Sequence, residues 1–175
     1  MVLMERMEFP TMDLVEADQL ARSLMRRHGL DRRGWTLEWG NAKRNLGVAI
    51  ESRRDTATNT VQDVRVIRLS RPLMRLNSEA EVRDTILHEI AHALVGAAHG
   101  HDAVWQAKCR EIGADPERLA GPGIRTPPKR WAVHCGLCDA LLFERHRRPQ
   151  RRFLARVGCR GCGERSFGEA VLRVR

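Results

Sequence analysis

The sequence predicts an α+β body, helices around a small sheet, followed by a small, separately folded tail. Three observations predict it. Helical apolar spacing and short strand-like segments succeed one another between Asp13 and Gly113. A Gly/Pro-rich break, GPGIRTPP, follows at 121–128. Beyond it lie four of the five cysteines, as two C-x-x-C pairs. The expected division is a body over 1–120, a linker over 121–130 and a basic domain over 131–175.

Each element has its own signal. Residues 13–27 put Leu14, Ala17, Leu20, Ala21, Leu24 and Met25 on one helical face, and Gly29 ends the run. Strand-like segments follow at 35–39, 46–52 and 64–69; in the last, Ile67 breaks the alternation. RRDTATNTVQD, residues 53–63, reads as a polar loop. Ser78 and Glu81 form a capping box that opens a helix running through Ala97, with Val82, Thr85, Ile86, Ile90, Ala93 and Leu94 as its buried stripe. A last helix fits 102–112, closed by Gly113. In the tail, ALLFERH and RFLARV (140–146 and 152–157) read as a hairpin.

Charge divides the chain at the same place. Lys and Arg total 31 against 22 acids, a net of +9. Residues 129–175 hold 12 basic and 4 acidic residues, so nearly all the excess is in the tail. That asymmetry favours an anionic partner for the tail. No run of about 18 apolar residues occurs, which excludes a membrane-spanning helix. The opening MVLMERMEFP lacks the basic-then-apolar order of a secretory signal, so a cytoplasmic setting is expected, nucleoid-associated in a prokaryote. In a reducing compartment, paired cysteines bind metal rather than each other.

The chemistry sits in HEIAH, 88–92. His88 and His92 are four apart and share one helical face, about 6 Å along the axis. Their imidazoles can converge on one zinc ion. Glu89 stands beside that ion without ligating it, placed to act as general base on a zinc-bound water and then as acid towards the leaving amine. A catalytic zinc needs a third protein ligand and one open position. His99 and His101 both follow within reach. The metzincin spacing fails for His99 by one residue, and His101 opens the next helix beside Asp102, with Trp105 one turn on. No Tyr occurs, so oxyanion stabilisation falls to Arg or backbone groups.

Cys135, Cys138, Cys159 and Cys162 have zinc-ribbon spacing, with 20 residues between the pairs. Gly136, Gly161 and Gly163 lie at the knuckles. Some 47 residues cannot bury enough apolar surface to fold alone, so this zinc is structural. Arg145, Arg147, Arg148, Arg151, Arg152 and Arg156 cluster on the expected hairpin as a phosphate-binding surface, with Phe143, Phe153 and Trp131 as its small core. Cys109 stands apart as a buried apolar residue.

HEIAH, then G-H-x-x-x-W, then a four-cysteine ribbon resembles the SprT-like (Spartan-type) metalloprotease family. The segments IRLS and WGNAKRNLGVAI are similar to its upstream region. The resemblance covers residues 14–162. Where the family has a glycine after the third histidine, this chain has Asp102. The resemblance implies a zincin-like minimal protease domain, with His88, His92 and His101 as zinc ligands and Glu89 as the catalytic acid. It also implies substrates bound on, or crosslinked to, DNA that is single-stranded or distorted. Two zinc ions are therefore expected, one catalytic and one structural. A non-enzymatic nucleic-acid-binding or transcription-associated protein on the same scaffold is the alternative, and a general peptidase with a purely structural ribbon a third reading.

Overall fold

The computed structural model describes residues 11–174 apart from 55, 56, 58, 118–122, 164–167 and 169. Gly121 and Pro122 of the expected linker lie outside the described residues, as do Asp55, Thr56 and Thr58 of the expected loop. The chain forms two units, Met1–Thr126 and Pro127–Arg175.

In the first unit, helix α1 (Leu14–Arg27) begins with a capping box. The Asp13 carboxylate accepts from the amides of Val15 and Glu16, and Glu16 accepts from the Asp13 amide. Ala17, Ala21, Leu24 and Met25 are buried along its inner face. Strands β1 (Thr36–Gly40), β2 (Gly47–Arg54) and β3 (Val61–Ser70) form a sheet in the order β1-β3-β2. β1 runs parallel to β3 and β2 antiparallel to it. Val66, Ile67 and Leu69 of β3 are all buried, so this end of the central strand is covered on both faces. That is why Ile67 breaks a simple alternation. The expected loop over 53–63 is shorter than its polar composition suggests, because β2 continues to Arg54 and β3 starts at Val61. Strand ends that stay exposed need ladder hydrogen bonds rather than apolar side chains.

A one-turn helix, α2 (Arg71–Met74), follows with Ser70 as its cap. Helix α3 (Glu79–Val95) starts at Ser78, whose capping box with Glu81 forms as the spacing requires. It ends at Val95 rather than Ala97, because Gly96 at φ +89 takes the chain out of the helix. α3 packs against α1, β2, β3 and helix α4 (Ala103–Ile112). Its buried residues, Val82, Ile86, Leu87, Glu89, Ile90, Ala91 and Ala93, reach most of the way around it. Asp102 caps α4 by accepting from Val104 and Trp105, and Gly113 ends it in the left-handed region.

Buried Asn77 closes this unit. Its Nδ2 donates to the carbonyls of Leu73 and Arg125, and its Oδ1 accepts from the Arg125 amide at 2.7 Å.

In the second unit, β4 (Trp131–Cys135) is the centre of a sheet ordered β5-β4-β6, with β5 (Leu141–Arg145) and β6 (Ala170–Val174) both antiparallel to it. The expected hairpin between 140–146 and 152–157 does not form. β5 pairs with β4 instead, and the second segment contains a single helical turn, α5 (Arg151–Leu154). Pro149 brings no amide to a ladder, and the amides of Phe153 and Leu154 turn back to the Gln150 carbonyl. The arginines from Arg145 to Arg156 thus lie on a strand end, a loop and one helical turn. No described helix is long and apolar enough to cross a membrane.

Candidate metal centres

His88 and His92 stand one turn apart on α3, and His101 enters from the loop before α4. The His101 Nε2 lies 3.2 Å from Nε2 of His88 and 3.2 Å from Nε2 of His92. Zinc–nitrogen bonds of 2.0–2.1 Å in a tetrahedron require ring nitrogens about 3.3 Å apart. The donor set therefore fits such an ion. Among the described residues no fourth His, Cys, Asp or Glu joins this cluster. The three rings border a cavity of about 1110 Å³, also lined by Glu89, Arg44, Leu46 and residues 47–49 of β2.

Neutral imidazoles are the ligating form. Burial, and next the neighbouring His92 and His101, push the His88 pKa down to about 4. Burial likewise lowers His92, while a hydrogen bond from its ring to the His99 carbonyl opposes the shift. Such a bond also fixes the ring's orientation. His99 lines the same cavity, but its Nδ1 is turned to Asp102 Oδ2 at 2.9 Å, and it is not part of the cluster. Beneath the rings lies Trp105, fully buried, its ring centroid 4.7, 5.1 and 4.5 Å from those of His88, His92 and His101.

Glu89 faces the sheet and is 6 % exposed. Burial raises its carboxyl to about 7, partly offset by a hydrogen bond from the Ala49 backbone. A Cβ added at Gly47 would meet Glu89 Cγ at 2.7 Å and Oε1 at 2.9 Å. The absence of a side chain at 47 is what gives the carboxylate its seat. Sequence reasoning missed Gly47, whose partner is 42 positions away. A glycine opening an apolar strand was the available signal.

A model of the SprT-like family matches residues 18–124, which includes α3, the ligand loop and α4. This chain belongs to the SprT-like family. The family is one of metallopeptidase-type domains, and the three-histidine cluster lies inside the matched segment. No curated protein matches the chain.

The second cluster lies beyond the SprT-like segment. Cys135, Cys138, Cys159 and Cys162 bring their sulfurs together, with Cys135–Cys162 at 3.9 Å and Cys138–Cys159 at 3.7 Å. Zinc–sulfur bonds of about 2.3 Å require tetrahedral sulfurs about 3.8 Å apart, so four thiolates fit a closed structural site. Knuckle amides of Cys138 and Leu137 hold the Cys135 thiol down to about 7. The second knuckle turns at Gly163, φ +63; in the first the left-handed residue is Asp139 rather than Gly136. The Asp139 carboxylate accepts from Arg173 at 2.6 Å.

All six expected arginines are exposed, and two are stacked. The Arg145 guanidinium lies 5.3 Å from the Phe143 ring and 5.4 Å from Phe153. Arg148 lies 5.5 Å from the Trp131 ring and Arg130, a residue outside the expected set, 5.6 Å. Phe143 and Phe153 meet edge-on at 5.7 Å. Arg152 bonds Gln150. Arg147, Arg151 and Arg156 complete the exposed basic run.

Proposed function

We propose that the chain is a zinc-dependent metalloprotease acting on DNA-bound or DNA-crosslinked proteins. In this reading the zincin-like protease domain is the Met1–Thr126 unit and the basic zinc-ribbon domain the Pro127–Arg175 unit, so the break expected over 121–130 is divided between them. The observation that carries the hydrolytic reading is the convergence of three ring nitrogens on an open cavity beside a buried carboxylate. His88, His92 and His101 would hold the ion, and zinc there would supply Lewis-acid polarisation of a peptide carbonyl and of water. Glu89 takes a proton from the attacking water and returns it to the leaving amine. Burial favours the protonated form of that carboxyl, the form that hands the proton on. Ala49 and Gly47 hold that carboxylate against the sheet. With no Tyr in the chain, Arg44 and cleft backbone amides are among the cavity-lining donors available to a developing oxyanion.

The test is Glu89→Gln. Zinc content should stay unchanged while peptide hydrolysis falls by about 10²–10⁴-fold. Undiminished proteolysis in that variant removes the assignment.

The DNA half rests on the tail's net +8 and on exposed arginines 145, 147, 148, 151, 152 and 156. Six phosphate contacts to a single strand correspond to a log–log salt slope of about −4. Binding of a single-stranded oligonucleotide across a salt series measures it, and a slope near zero would end this part of the reading.

A further inference from the structure

The loop at 96–102, which delivers His101, is held by several ties. Gly96 accepts from the His99 amide at 3.1 Å, His92 donates to the His99 carbonyl, and Asp102 binds both His99 and the start of α4. These three arise within α3, the loop and α4. A fourth comes from the sheet: Glu51 of β2 accepts from the Ala97 amide at 2.7 Å, its two carboxylate oxygens 3.8 Å from where a Cβ on Gly96 would stand. Glu51 sits where the β2–β3 register slips, between Ile50 and Ser52, and such irregularities re-aim a side chain. Strand alternation puts residues 47, 49 and 51 on one face of β2, and all three line the cavity, as does Val48 between them. One strand face thus serves both halves of the site, Gly47 and Ala49 seating Glu89 and Glu51 reaching the histidine loop.

The geometry points to Glu51 as a positioning residue for the three-imidazole site. By fixing Ala97 it sets where His101 stands relative to His88 and His92, and so how tightly that site holds its ion. This rests on the metalloprotease reading above for the site's purpose, though the claim itself concerns metal retention. Loss of a partner bonded directly to a ligand costs metal sites about 10–100-fold in affinity, and a partner acting through the loop backbone is expected at the lower end of that range.

Graded chelation of the zinc-loaded full chain, with thiol reactivity reporting the cysteine site separately, tests it. Glu51→Ala should surrender the imidazole-site zinc about 10-fold more readily and leave the cysteine site unchanged. Glu51→Gln keeps an oxygen acceptor for Ala97 and should retain zinc nearly as the parent does. Parent-like retention in Glu51→Ala, or a Gln variant as weak as the Ala one, overturns the assignment. Should Glu51→Ala fail to fold, Glu51→Asp keeps the charge but shortens the reach, and parent-like retention in that variant overturns it equally. No substrate enters the measurement, so its failure is distinct from failure of the protease reading, which Glu89→Gln decides.

Discussion

His88, His92 and His101 stand on elements already fixed by a buried core that includes Ala17, Leu24, Ile67, Ile86, Ile90 and Trp105. Cys135, Cys138, Cys159 and Cys162 have no such foundation. Apart from two of those cysteines themselves, the buried apolar residues described in their unit are Ala132 and Val133. In the body, packing aligns three imidazoles and leaves one side of their cluster open to the cavity. In the second unit, four thiols that a metal ion would tie together stand where a core would otherwise be. The contrast teaches that ligand count follows from what holds the ligands: a site that folding supplies can remain open, whereas a site that supplies folding must close.

The largest expected effect comes from removing metal altogether. Structural zinc contributes on the order of 10–16 kcal/mol in small domains. Exhaustive chelation should therefore unfold residues of the Pro127–Arg175 unit while α1, α3 and α4 survive, as followed by amide hydrogen exchange. Equal protection losses in both units would break the comparison.

Next in size is Trp105→Ala, which removes a fully buried indole from under the three imidazoles. A loss of about 3–5 kcal/mol is expected for such a truncation. Denaturant unfolding should show it in the body, with cysteine-site zinc retained. A ribbon that loses its metal in this variant would mean that the two centres are not independent.

Gly47→Ala is the smallest and most selective change. The added methyl needs the space now taken by Glu89. A displacement of about 1 Å at a reacting group costs on the order of 10²-fold in rate. Both zinc contents and the unfolding midpoint should stay close to the parent's, while turnover falls. Parent-like turnover would show that Glu89 finds an equivalent seat.

How far such features were legible depends on whether their causes are local. Asp13 and Ser78 cap their helices through residues three positions away, so α1 and α3 could be read directly. His88 and His92 share a helical turn, and each C-x-x-C pair is a local knuckle. The choice between His99 and His101 depends on a loop path fixed partly by Glu51, a contact across 46 positions that no periodicity reveals. The tail resisted differently. Its strands are five residues long with Val171 and Val174 exposed, so apolar patterning is weak there. β5 finds its partner through the knuckle that precedes it, and RFLARV was left to form a turn beneath Arg145.

The clasp at Asn77 has a consequence for where the first unit stops. Its amide sits where a neighbouring strand would otherwise satisfy Arg125, donating to that residue's carbonyl and accepting from its amide as a backbone would. A truncated body ending at the Gly–Pro punctuation would leave this carboxamide enclosed and half unsatisfied, a penalty of about 1–3 kcal/mol. The unit's true edge is therefore written by an asparagine far upstream, and a minimal excised fragment must carry Arg125 with it.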